Sequence, residues 1–302
     1  MITCAFTVIT EIIARKNAKK IKAWAYGKAA SEARGLLSDL FGISFAFYCL
    51  KQKMLLPIGD DNSDRKRMPV VNYILIALNV FVYIYLQDWG RNLHFTYAYA
   101  TVPLEIISGH DVVTHSRILE DPYTGQAIEM PGLQPTPVPV YFTLLTAMFM
   151  HGGIVHLLGN MLYLWIFGDN LENVMGHRNY FLFYLLCGVL AGLSHVFSTV
   201  YFGQNPIIPS LGASGAIAGV LGGYIYLFPT RRVHVWILWF IVSLPAFLVV
   251  GLWFVFQVIS GTGALGGQDA GNIAYAAHIG GFVFGLVLVK LFIPRPAIIK
   301  KR

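Results

Sequence analysis

Four polar side chains stand inside, or at the mouth of, runs apolar enough to cross a bilayer: His156, Asn160, Ser214 and His278. Ionisable and amide groups are costly in hydrocarbon, so each is a functional candidate by default. A serine hydroxyl is a weak nucleophile until a neighbouring base takes its proton, and His278 is the base on offer. Acyl transfer also needs donors aimed at the developing oxyanion. His156, the Asn160 amide and the backbone N–H near Ser214 suit that task. No carboxylate is placed to complete a triad, because Asp269 is nine residues before His278, roughly 13 Å along a helix. The expected chemistry is hydrolysis by a Ser–His dyad, with no metal and no cofactor.

These residues need helices to bring them to one level. The sequence predicts an all-α polytopic membrane protein with six spans. They run over about Val70–Gln87, Ile154–Asn173, Asn179–Tyr201, Leu211–Phe228, Val233–Val258 and Asn272–Phe292. Arg65, Lys66, Arg67, Arg178, Arg231, Arg232, Arg295, Lys300, Lys301 and Arg302 then fall on one side, which makes both termini cytoplasmic. Spans two, four and six enter from the outer side. His156 and Asn160 share one face of span two, Ser214 opens span four, and His278 lies about six residues into span six. All four reach a similar shallow depth. His151, at the outer mouth, is a possible accessory. A long outer loop joins spans one and two. Its last part, Tyr141–Met150, is apolar but too short to span, and Gly152-Gly153 breaks it from span two.

Small residues supply the means of close approach. Gly215, Gly219 and Gly223 recur every four residues in span four, and Gly281 and Gly285 follow His278 in span six. Such faces let helices pack backbone to backbone. Packing through Gly215, Gly219, Gly281 and Gly285 would bring Ser214 within reach of His278. The aromatic residues Trp236, Trp239, Phe240, Trp253, Phe254 and Phe256 are read as lipid contacts of span five, which is expected to act as a lateral gate.

Composition narrows the function classes. Of the 302 residues 56% are hydrophobic and only 12% are charged, which a soluble domain of this length does not sustain. The net charge of +7 is divided among short segments, so no basic patch for nucleic acid forms. Cys4, Cys49 and Cys187 have no metal-ligand or disulfide spacing. A zinc intramembrane protease needs His-Glu-x-x-His, which His151 and His156 do not provide, and no span carries an aspartate at mid-depth for an aspartyl protease. No inverted repeat with broken helices points to a secondary transporter.

The motifs His151-Gly-Gly-Ile-Val-His156-Leu-Leu-Gly-Asn160, Gly212-Ala-Ser214-Gly215 and Ala277-His278-Ile-Gly-Gly281, with Gly285, resemble those of rhomboid intramembrane serine proteases in order and spacing. The resemblance covers about residues 69–293. It implies a six-transmembrane-helix bundle with a long outer loop between helices one and two. It also implies Ser214 as nucleophile, His278 as general base, and His156 and Asn160 at the oxyanion. The implied substrates are transmembrane proteins cut in or near the bilayer. Some relatives carry a tyrosine four residues after the serine, where this chain has Ala218. Some also carry a Trp-Arg pair in the loop before span two, which has no counterpart here. The alternative is a catalytically inactive rhomboid-like protein that binds or chaperones membrane proteins, against which the retention of both Ser214 and His278 argues.

Domain expectations follow from these limits. Residues 1–68 are expected as an N-terminal cytoplasmic extension, in which 1–53 precede a natural start at Met54. Residues 69–293 form the protease domain and 294–302 a basic tail. A six-span core with little soluble mass suggests the cytoplasmic membrane of a prokaryote.

Overall fold

A segment in hydrocarbon must satisfy its own backbone N–H and C=O groups, so apolar runs of this length fold as helices. The computed structural model describes residues 56–120, 127–237, 239–265 and 274–294. Strand β1 (Leu56–Asp60) precedes helix α1 (Val70–Phe81), which continues as a π-helical turn over Val82–Leu86. Helices α2 (Leu93–Tyr99) and α3 (Pro103–Ser108) follow, then a hairpin of β2 (Arg117–Glu120) and β3 (Ala127–Met130). The short α4 (Thr143–Thr146) lies between 3-10 turns at Val140–Phe142 and Ala147–Phe149. Next come α5 (Ile154–Tyr163), a π-helical turn (Leu164–Gly168) and α6 (Asp169–Met175). The chain continues through α7 (His177–Tyr201), α8 (Ser214–Leu227), β4 (Arg232–Ile237), β5 (Phe240–Pro245), α9 (Ala246–Leu265) and α10 (Tyr275–Phe292).

The protein is a mostly helical integral membrane protein. Among the described residues α7 and α10 are each long and apolar enough to cross a bilayer. A third span arises if Val140–Phe149 and Ile154–Met175, bent by 81° at the break between them, count as one. The break falls at Gly152-Gly153, where the sequence places it. The other apolar helices, Val70–Leu86, Ser214–Leu227 and Ala246–Thr262, are shorter than a full span.

The structure corrects the reading of span five. Arg232–Ile237 and Phe240–Pro245 are not helical but form the paired strands β4 and β5, and the helix starts only at Ala246. The alternation Val233-His234-Val235 is the reason. Val233 and Val235 are fully buried while Arg232 and Trp236 face outward, a period-two pattern rich in β-branched residues. Pro245 then ends the strand, and the N–H groups of Ala246 and Phe247 donate to the carbonyls of Arg231 and Pro229 at 2.9 Å each. Helix α9 therefore starts beside the end of α8. The aromatic run divides accordingly. Trp236, Trp239 and Phe240 are exposed on the hairpin, whereas the rings of Trp253 and Phe254 pack inward on Phe282, and Phe256 is exposed on α9.

An all-α description is corrected with it. Strand β1 pairs antiparallel with β4, from Leu56 opposite Trp236 to Asp60 opposite Val233, giving a sheet in the order β1-β4-β5. β2 and β3 form a second, two-stranded sheet. The segment before α1 thus docks on the hairpin through β1; residues 1–53 lie outside the described residues.

One end of the bundle collects the charged loops. The Arg65 guanidinium donates to Asp169 at 2.9 Å, and the N–H groups of Lys66 and Arg67 donate to the Asn173 side chain at 2.9 and 3.1 Å. Arg231 bridges Asp64 and Asn170. The buried Glu172 carboxylate accepts the N–H groups of Val71 and Asn72 at 2.9 and 2.8 Å, satisfying donors that the start of α1 leaves open. Segments before α1, along α6 and after α8 meet here.

Asp60 is the titratable centre of this end. Its carboxylate accepts from the Tyr224 hydroxyl at 2.5 Å and from Asn170 Nδ2 at 2.7 Å. Burial pushes its pKa up to about 7, with neighbouring Asp169 adding to the rise and Tyr224 and Arg231 opposing it. The folded protein therefore holds a proton between about pH 4 and pH 7 that the unfolded chain releases. Stability should fall as the pH rises through that window, by up to a few kcal/mol. Glu105 on α3 is likewise raised by burial to about 7 and adds to the same trend. Thermal unfolding in detergent at pH 5 and pH 8 checks this: the loss in the wild type should shrink clearly, without vanishing, in Asp60→Asn.

Candidate active site

The site depends on how closely α8 approaches α10. A Cβ at Gly281 would lie 2.1 Å from the Gly215 carbonyl oxygen, and one at Gly285 would lie 2.0 Å from that of Gly219. A Cβ at Gly222 would lie 2.1 Å from the Phe282 carbonyl oxygen. These are backbone-to-backbone contacts that admit no side chain. The Cα faces of Gly215 and Gly219 point elsewhere, to α7, where a Cβ would meet those of Ala191 and Cys187 at 2.7 and 2.4 Å. The glycine stripe therefore serves two neighbours: its missing side chains admit α7 and its carbonyls touch α10.

That approach sets the central pair. Ser214 is the first residue of α8 and His278 sits in the first turn of α10. The Ser214 hydroxyl and His278 Nε2 share a hydrogen bond of 2.7 Å. His278 is 8% exposed, so the bond lies at the edge of solvent rather than in it. The loop leading to Ser214 is fastened at several points. Thr101 and Ser210 exchange backbone hydrogen bonds at 3.0 and 2.8 Å, the Leu104 N–H donates to Pro206, and the Gly212 N–H donates to Ala147 at 2.8 Å. Gly212 has φ +126°, a conformation that side chains disfavour. Position 212 also has no room: a Cβ there would lie 2.9 Å from His156 Nε2 and 3.7 Å from Ser214 Oγ.

His156 and Asn160 flank this point from α5. The Gly152 N–H approaches His156 Nδ1 at 3.4 Å, which leaves Nε2 as the N–H on the side of Gly212 and Ser214. The Asn160 amide donates to His151 Nε2 at 2.9 Å, using one of its two hydrogens. His151 is fully buried, and its ring meets that of His156 edge-on at 5.1 Å. Gln87, at the end of the α1 segment, clamps the His151 backbone. Its Oε1 accepts the His151 N–H at 2.9 Å, and its Nε2 donates to the His151 carbonyl and to Thr96 Oγ1, both at 3.0 Å.

The structure thus brings Ser214, His278, His156, Asn160 and His151 into one cluster where α5, α8 and α10 begin. Three neighbours of this cluster are not among the residues that sequence reasoning assigns to the site. They are Gln87, Trp253, whose ring centroid is 6.2 Å from that of His278, and Gln257, whose Oε1 is 2.8 Å from His278 Nδ1. The sequence does carry a signal for both glutamines, since an amide inside an apolar run is as costly as that of Asn160. Asp269 lies outside the described residues. The arrangement can pass a proton from a hydroxyl to an imidazole and offer N–H donors beside the attacking oxygen.

A helical membrane protein with a hydrogen-bonded serine–histidine pair at a shared helix-entry level is the class defined here. The Rhomboid domain family model matches residues 139–295, over half of the chain, and the chain belongs to the rhomboid family. It is 35% identical over 156 residues to Rhomboid protein 1, mitochondrial, of Saccharomyces cerevisiae, covering 51% of this chain and 43% of that protein. It is 31% identical over 175 residues to the human presenilin-associated rhomboid-like protein, mitochondrial, covering 52% and 42%. It is 32% identical over 139 residues to the Rhomboid protease GluP of Bacillus subtilis, covering 45% and 26%. In each case the match spans less than half of the relative. Two of the three are named as mitochondrial proteins, so the expected prokaryotic cytoplasmic membrane is not supported; an integral membrane protein is what stands.

Proposed function

We propose that the chain is an intramembrane serine endopeptidase that hydrolyses peptide bonds in or near transmembrane segments of membrane proteins. The single observation that carries this reading is the 2.7 Å hydrogen bond between Ser214 Oγ and His278 Nε2. In the proposed mechanism Ser214 attacks the scissile carbonyl as His278 takes its proton, and the tetrahedral intermediate then collapses with cleavage of the C–N bond as His278 gives that proton to the leaving amine. The acyl-enzyme is then released by water that His278 activates in turn. Helix α8 begins at Ser214, so its first N–H groups have no intrahelical partner and are free for the oxyanion. His156 Nε2–H and the second Asn160 amide hydrogen are the side-chain donors. His151 acts through Asn160 as an accessory, and no metal or cofactor takes part.

The reading includes six spans: Val70–Leu86, Ile154–Met175, α7, α8, α9 and α10. The stretch Asp88–Gly153 is the outer loop, and both termini lie on the side of Arg65 and Arg231. Residues 69–293 form the protease domain, 1–68 an extension and 294–302 a tail. The lipid bilayer delivers the substrate. The relative named as a protease, GluP, supports this reading.

The test is cleavage of a model transmembrane substrate by purified protein in detergent with EDTA present. Wild type should cut and His278→Ala should not. Asn160→Ala should retain some activity, since one oxyanion donor is worth about 3 kcal/mol in water-soluble hydrolases. Equal cleavage by wild type and His278→Ala would end the dyad reading, and an inert wild type would favour an inactive membrane-protein binder.

A further inference from the structure

We propose that Gln257 is a positioning residue that holds His278 in the tautomer its role as base requires; this rests on the protease reading above. A neutral imidazole carries one N–H and one lone pair. Nε2 accepts the serine proton only when the ring hydrogen sits on Nδ1. Gln257 Oε1 lies 2.8 Å from that Nδ1, and an amide oxygen only accepts. It therefore takes the Nδ1–H and leaves the Nε2 lone pair turned to Ser214, 2.7 Å away.

Burial makes this bond matter. Gln257 is 2% exposed and His278 8%, so an amide oxygen left without its partner would lose a hydrogen bond that water could not replace. Trp253 is four residues earlier on the same face of α9, and its ring lies 6.2 Å from the His278 ring. Two side chains of one helix thus fix the rotation and the proton position of a histidine on another. In soluble triads a carboxylate receives the Nδ1–H. A neutral amide does this within an apolar helix without burying a charge. Were the amide turned round, Nδ1 would be the acceptor, Nε2 would carry the hydrogen, and no serine proton could be taken.

The experiment compares wild type, Gln257→Leu and Gln257→Glu by substrate kinetics and by ¹⁵N spectra of histidine-labelled protein, with His278→Asn to assign the His278 signals. Gln257→Leu should lower kcat by about tenfold to hundredfold, the scale of a misplaced catalytic group, with KM unchanged. Gln257→Glu keeps the acceptor oxygen and should recover most of the loss. The wild-type spectrum should show His278 protonated on Nδ1, with that signal shifted or lost in Gln257→Leu. Wild-type kcat in Gln257→Leu would overturn the proposal. So would equal inactivity of the Leu and Glu variants, which marks a packing role, or an Nε2-protonated His278 in the wild type. If the wild type does not cleave at all, the protease reading falls separately, and the nitrogen spectra still decide the role of Gln257.

Discussion

Ser214→Ala should reduce cleavage of a transmembrane substrate to background while leaving the fold intact. The hydroxyl is the only group removed, and its 2.7 Å bond to His278 Nε2 goes with it. Loss of a serine nucleophile costs about a millionfold in kcat in soluble serine proteases, because the triad acts as a unit. The stability cost should stay near 1 kcal/mol, about the net value of a typical hydrogen bond. Helix packing around position 214 rests on Gly215, Gly219 and Gly281 rather than on the serine. Turnover and thermal unfolding measured on the same preparation separate the two effects. A variant that lost activity only because it unfolded would show a matching fall in melting temperature.

Gly281→Ala should damage both activity and stability. The new Cβ would sit 2.1 Å from the Gly215 carbonyl oxygen and 3.3 Å from the Ala191 Cβ. Backbone cannot rotate out of the way, so α8 and α10 must part by about 1 Å to restore van der Waals separation. Ser214 is the residue before Gly215, and His278 is one turn before Gly281. The Ser214–His278 bond would lengthen past useful range, and a misplacement of about 1 Å costs about a hundredfold in rate. Overpacking of this kind also costs about 1–3 kcal/mol. Gly251→Ala on α9 is the control, because nothing lies within 4 Å of the added Cβ. It should leave cleavage unchanged and, by improving helix propensity, leave stability equal or slightly higher.

Ser214, His278, His156 and Asn160 are legible in the sequence as one site because a polar group in hydrocarbon is conspicuous and three helices enter from one side. Gly281 and Gly285 are legible as small residues following a histidine. Which way the stripe at Gly215 and Gly219 faces is not, since a helix offers both a Cα face and its carbonyls, and here each meets a different neighbour. Val233 to Pro245 reads as part of a span because a continuous apolar run does not distinguish a strand from a helix by hydrophobicity alone. Its alternating valines and its pairing with Leu56–Asp60 decide for the strand, and that pairing is long-range. Gln257 carries the same cost signal as Asn160 but lies in the misplaced span, where its depth could not be matched to that of His278.

Reaction with a fluorophosphonate, followed by peptide mass spectrometry, tests the central claim most directly. The expected result is a single phosphonate adduct on Ser214 in the wild type that is strongly reduced in His278→Ala, in which no base takes the serine proton. A wild type that cleaves substrate yet carries no adduct on Ser214, or an adduct that forms as fast without His278, would contradict it.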